Sequence, residues 1–202
     1  MSQPPRILVA GIGNIFLGDD AFGVEVARLL LHRPQRDGVR VIDFGIRGMD
    51  LAYALTDGCD AAILVDAAGR GQAPGTLYVI EPDLKASAAP SMFDGHSMDP
   101  MAVLRLASTL GPLPRRVWVV GCEPGRLSSA EDETFELSEP VRAVLEPAVG
   151  MVESLIDRLL QGQSNLTGEG EAPAEPPLRG ISGSADASPS HSEPLIANAP
   201  GN

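Results

Sequence analysis

Apolar residues along the chain follow two rhythms: short unbroken runs, and stripes that recur every three or four positions. Ile7-Leu8-Val9-Ala10 is an unbroken run ending at glycine, the pattern of a strand buried on both faces, and a central place in the sheet is expected for it. After Asp19-Asp20, the residues Phe22, Val26, Leu29 and Leu30 have the i, i+4, i+7, i+8 spacing of a helix, which Pro34 ends. Val39 to Ile42 reads as a second strand closed by Asp43, Met49 to Leu55 as a short helix stopped near Gly58, and Ala61 to Val65 as a third strand closed by Asp66. Gly75 to Ile80 follows a Gly/Pro loop too short for a crossover helix, so this strand is expected to be antiparallel or at an edge. Asp99-Pro100 supplies the N-cap and first-position residues of a helix that continues through Met101, Leu104 and Ala107. Val117 to Val120 is a further buried strand. A last helix, from Ser138-Glu139-Pro140, carries Val141, Leu145, Val149, Val152, Ile156 and Leu159 on one side, with a kink expected at Pro147. Strands alternating with helices predict an α/β fold: a three-layer α/β/α sandwich whose twisted sheet is mostly parallel with one antiparallel edge strand.

The 202 residues suffice for one domain of about 150 residues and a tail. Residues 162–202 hold six each of Gly, Pro, Ser and Ala and no aromatic residue, too little apolar surface to offset the entropy of ordering. A domain over 1–161 and a flexible tail over 162–202 are therefore expected, with His191 incidental in the tail. The formal charge is −12, from 15 basic and 27 acidic residues, with Lys85 the single lysine. Such a balance argues against a nucleic-acid partner, which needs a basic face. No apolar run approaches the ~20 residues that span a bilayer, and no basic segment precedes a signal-like stretch, so a cytoplasmic protein without a membrane partner is expected, and a monomer. Cys59 and Cys122 lack C-x-x-C spacing and read as buried small hydrophobes.

Candidate chemistry sits where the strands end. Asp19 or Asp20 follows the first, Asp43 the second and Asp66 the third, and ligands of open α/β sheets bind outside the carboxyl ends of strands near a topological switch point. The acids are expected to converge there, and His96, on a loop before the Asp99 helix, can reach the same rim. Two carboxylates and an imidazole make a divalent-cation site with mixed oxygen and nitrogen donors, which suits nickel, zinc or iron better than calcium. Each residue also has a plainer reading. Asp20 can cap a helix, Asp66 can close a turn with Ala67-Ala68-Gly69, Asp43 can form a turn before Gly45, and His96 can be a hydrogen-bonded loop residue. Asp66 gives the strongest functional signal, because a carboxylate after five apolar residues is costly to hold near a buried strand end without a partner.

Other chemistries lack their residues. Gly11-Ile12-Gly13-Asn14 opens like a dinucleotide loop, but Phe16 stands where the third glycine of G-x-G-x-x-G belongs, and no Gly-Lys-Ser or Gly-Lys-Thr follows. A nucleotide-binding oxidoreductase is thereby disfavoured. No serine sits in a G-x-S-x-G elbow, and neither cysteine has a histidine near it in sequence. The two glycines still imply a tight turn where neighbouring loops approach closely, with Asn14 able to bond it.

Gly11 to Val24, with its run Gly11-Ile12-Gly13-Asn14 and Gly18-Asp19-Asp20, resembles the amino-terminal signature of the hydrogenase maturation endopeptidases. Val41 to Leu51, Leu64-Val65-Asp66-Ala67, Gly95-His96, Val119 to Pro124 and Leu145 to Ala148 extend the likeness over roughly residues 6–160. Members of that family remove a C-terminal extension from the large-subunit precursor of nickel–iron hydrogenases. The resemblance implies a nickel-dependent check on the substrate by Asp20, Asp66 and His96; the first family position takes Glu or Asp, and the Gly-Asp-Asp run aligns it with Asp20. Asp43 matches a family aspartate linked to processing. Gly45-Ile46-Arg47-Gly48 departs from the Gly-Thr-x-Gly run often found after that aspartate, which bears on which hydrogenase is served. Nickel is expected to arrive with the precursor rather than to reside in the protein. A non-enzymatic nickel-binding maturation chaperone using the same three residues is the alternative.

Overall fold

Wholly apolar runs form the inner strands. In the computed structural model, which describes residues 6–82, 99–125 and 135–164, β1 (Ile7–Ile12) is buried at every position and β3 (Ala61–Ala67) at all but its last. The two pair in parallel, with β2 (Val39–Gly45) parallel on the outer side of β1. Strand β4 (Leu77–Ile80) runs antiparallel to β5 (Arg116–Cys122), which is parallel to β3, and completes the order β2-β1-β3-β5-β4. The expected antiparallel strand is found at an edge, and β1 is an interior strand paired on both sides, with β3 at the middle of the five.

Alternate residues of a strand point to opposite faces, and each face has its own core. Val9, Ile63 and Val120 pack with α1 (Phe22–Leu31), α4 (Glu139–Ala143) and α5 (Leu145–Ser164). Leu8, Leu64 and Val119 pack on the other face with α2 (Gly48–Thr56) and α3 (Pro100–Leu110). Burying a side chain as fully as Phe22 or Leu51 contributes about 1.5–3 kcal/mol. Helix α3 starts as its sequence predicts, with Pro100 in its first turn and the Met101 N–H donating to Asp99 Oδ1 at 2.9 Å.

Several boundaries differ from expectation. Asp43 and Asp66 lie within strands rather than beyond them, in ladder register opposite Gly11 and Gly121. The last helix breaks at Val144 instead of kinking at Pro147: the proline has no N–H to donate and its ring would meet the Ala143 carbonyl, so α5 restarts at Leu145 with the proline in its first turn. Helix α5 runs to Ser164, past the expected boundary, and residues 165–202 of the expected tail lie outside the described residues. Cys122 is buried, but Cys59 is only partly so, its thiol 3.5 Å from the Leu55 carbonyl; both are free thiols. Among the described residues no helix is long and apolar enough to cross a membrane.

Candidate active site

The chain leaves β1 for β2 on one side and returns from β2 to β3 on the other, so the strand order reverses between β1 and β3, whose carboxyl ends are where open α/β sheets form their ligand crevice. Two glycines shape it. Gly13 has φ of 133°, and a Cβ there would stand 1.8 Å from the Asp20 carbonyl oxygen, so only glycine lets the loop after β1 press against the 3₁₀ turn Asp19–Ala21. Gly23 seats the first turn of α1 against the carbonyls of Val65 and Ile12, which a Cβ would meet at 2.1 and 2.3 Å. Asp20 is thereby set beside the end of β3, where Asp66 stands.

The charge of Asp20 disfavours ionisation of Asp66. Asp20 caps no helix. Its Oδ2 accepts from the Asn14 N–H at 2.6 Å, while Asn14 Oδ1 accepts from the Phe16 N–H at 3.0 Å and braces the loop. Burial pushes the Asp20 carboxyl up, and the Asn14 hydrogen bond opposes the shift. Asp66 is only 5% exposed. Burial first, then the negative charge of Asp20, and further the charge of Asp99, push its carboxyl well above the usual range, against a hydrogen bond from Ala67. A pair so disposed favours a bound cation or a retained proton.

Asp43 does not join this pair. Val39 and Val41 face the α1–α5 core, and Ile42 and Phe44 the α2–α3 core, so Asp43 belongs to the α1 face; the same two-residue period puts Asp66, after Ala62 and Leu64, on the α2–α3 face. The expectation that all the strand-end acids converge is corrected accordingly. Asp43 Oδ2 lies 3.8 Å from Arg28 Nε, and the Arg47 guanidinium donates to the carbonyls of Asp43 and Phe44 to close the turn after β2. His96 lies outside the described residues. Among those residues no group of three His, Cys, Asp or Glu side chains is placed to hold a metal ion.

Two buried acids hold the frame. Asp19 is fully buried; its Oδ1 accepts from the Ser138 N–H at 2.6 Å, and its Oδ2 from the Gly125 N–H and the Ser138 hydroxyl, each at 2.8 Å. It ties the 3₁₀ turn to the chain after β5 and to the start of α4. Glu123, 6% exposed, accepts from the backbone N–H groups of Arg70 at 2.6 Å and Gly71 at 3.0 Å, with the Tyr78 hydroxyl 3.2 Å away. Desolvation opposes its ionisation, but hydrogen bonds from Arg70, Gln72, Gly71 and Tyr78 outweigh this and hold its carboxyl below the usual value. The Tyr78 hydroxyl also bonds the Ala68 carbonyl, so the loop that follows Asp66 is fixed from below. Sequence reasoning weighed Asp19 only as an alternative to Asp20 and passed over Glu123. The signal for the latter was present: an acid directly after a buried apolar strand, the same pattern that marked Asp66.

The sequence profile described as hydrogenase maturation protease matches residues 24–155. The chain belongs to this family. Among hydrogenase maturation proteases and their relatives, it is 39% identical over 149 residues to the hydrogenase expression/formation protein HupM of Azotobacter chroococcum mcd 1, covering 73% of this chain and 69% of that one. It is 31% identical over 149 residues to the hydrogenase 2 maturation protease of Escherichia coli K12, covering 73% and 88%. The solved structure of the hydrogenase maturating endopeptidase HybD from E. coli superposes with a TM-score of 0.62 at 28% identity, over 76% of this chain and 93% of that one. Family and fold both agree with the sequence reading: this member of the hydrogenase maturation protease family has the α/β fold of its relatives, built on a mostly parallel five-stranded sheet.

Proposed function

We propose that the protein is an endopeptidase that removes the C-terminal extension of a nickel–iron hydrogenase large-subunit precursor after nickel insertion, and that it recognises the substrate's nickel through Asp20, Asp66 and His96. The observation that supports this most is the Asp20–Asp66 pair, two carboxylates whose burial, with the charge of Asp20 acting on Asp66, makes their ionised forms costly. A cation brought by the substrate relieves both costs, while a precursor without its metal offers no such relief, so the pair discriminates between the two. Only three positions separate His96 in sequence from Asp99, whose charge acts on Asp66. An imidazole there adds a nitrogen donor to two oxygen donors, a set suited to nickel.

Docking at the rim would position the scissile peptide against a water molecule. A rim carboxylate takes a proton as the water oxygen attacks the carbonyl carbon, and returns it to the leaving nitrogen as the C–N bond breaks. Asp43 enters as a positioning residue that acts through Arg28. The substrate's nickel serves recognition, the protein acts as a monomer, and the reaction belongs to the cytoplasm, where the acidic chain has no call for a nucleic-acid or membrane partner. Asp20→Ala, Asp66→Ala and His96→Ala are each expected to keep the fold, read by circular dichroism, and to abolish shortening of the nickel-loaded precursor. Full cleavage by all three variants would reject the assignment, and nickel binding by the wild type without any cleavage would favour the chaperone.

A further inference from the structure

A groove of about 360 Å³ opens beside the 3₁₀ turn, lined by Ile15, Ala21 and Arg28 from the first part of the chain and by Phe135, Leu137 and Arg142 from the segment around the start of α4. Phe135 of this lining meets Phe16 edge to face, ring centres 6.0 Å apart, though 119 positions separate them in sequence. The two rings are 63% and 58% exposed, so their contact leaves most of their apolar surface in water. We infer that this groove holds an extended segment of the substrate precursor next to the scissile bond, with one large apolar side chain seated against Phe16 and Phe135. The inference rests on the function proposed above.

Charge, size and position select this occupant. Each guanidinium in the groove already has a carboxylate partner, Arg28 with Glu25 at 2.6 Å and Arg142 with Glu136 at 3.0 Å. The walls are therefore close to neutral and draw neither a polyanion nor a strongly acidic peptide. The volume is at the small end for a ligand site, enough for one or two side chains and too small for the face of a folded domain. The groove also adjoins the segments that hold Asp20: it is lined by Ala21, the residue after Asp20, and by Ile15, the residue after Asn14, whose N–H holds Asp20 Oδ2. On this inference a peptide with its scissile bond at Asp20 and Asp66 extends over the 3₁₀ turn into the groove. Asp43 lies 3.8 Å from Nε of Arg28, a groove residue whose terminal nitrogen pairs with Glu25, and so acts on the same segment.

The test is steady-state processing of nickel-loaded precursor by the full chain and by a Phe16→Ser, Phe135→Ser double variant. Removing one apolar seat is expected to raise KM about tenfold or more with kcat within about twofold. The melting midpoint should stay unchanged, because both rings are exposed. Asp43→Asn should likewise raise KM and spare kcat, which loss of structure alone would not do. A double variant with wild-type KM overturns the groove assignment while leaving the protease reading intact; a wild type that cuts no precursor overturns both. A change in sedimentation of the double variant, or a fall in wild-type KM on ending the chain at Ser164, would assign the groove to a second copy or to the chain's own C-terminal segment and overturn the inference.

Discussion

Asp66, 5% exposed and facing the charge of Asp20, raises the free energy of the folded state whenever it is ionised. Because its carboxyl is pushed above the value it has in the unfolded chain, folding favours the protonated form. The fold therefore loses stability as pH rises from about 4 toward the folded-state value, and stays at that lower level above it. Asp66→Asn keeps the shape and removes the charge. It should melt higher than the wild type near pH 7 and alike near pH 3, while losing processing; a gain of about 1 kcal/mol corresponds to roughly 2–4 °C for a chain of this size. Equal or lower melting near pH 7 would show that Asp66 is not a stored cost. Glu123 has the opposite sign: its lowered carboxyl gives stability that is present above the unfolded value and lost as pH falls through the folded one.

Helix α1 owes its position to two positions where any side chain is excluded, and this makes the element scale the most sensitive to small changes. Gly23→Ala places a Cβ within about 2 Å of the carbonyls of Val65 and Ile12, residues held in the ladders that β1 makes with β3 and β2. Overpacking of this kind costs about 1–3 kcal/mol or more, so a clear fall in melting midpoint is expected; an unchanged midpoint would mean that α1 is free to shift. Element identities were legible in the sequence, since unbroken apolar runs and the Asp99-Pro100 start each have a single physical reading. Strand ends were less so. Aspartate is a poor strand residue, and Asp43 and Asp66 remain in the ladder opposite Gly11 and Gly121, partners separated from them by 32 and 55 positions of sequence. The break at Val144 was misplaced because Pro147 acts on the carbonyl four residues before it, not on its own position.

Across the whole molecule, the site is assembled by topology. Asp20 and Asp66 stand together because β1 and β3 are neighbours at the point where the strand order reverses, and the order of elements alone pointed to that crevice. The sheet period that sends Asp43 to the other face needs the correct strand ends, which the sequence hid. The anchoring roles of Asp19 and Glu123 depend on backbone donors up to 119 and 53 positions away, and no local pattern announces such partners. The proposed function joins these parts through a substrate-borne cation seated on an acidic rim. Its most direct test is incubation of the purified full-length protein with nickel-loaded and with nickel-free large-subunit precursor, followed by mass measurement of the product. The nickel-loaded precursor alone should be shortened; equal shortening of both, or of neither, would contradict the account.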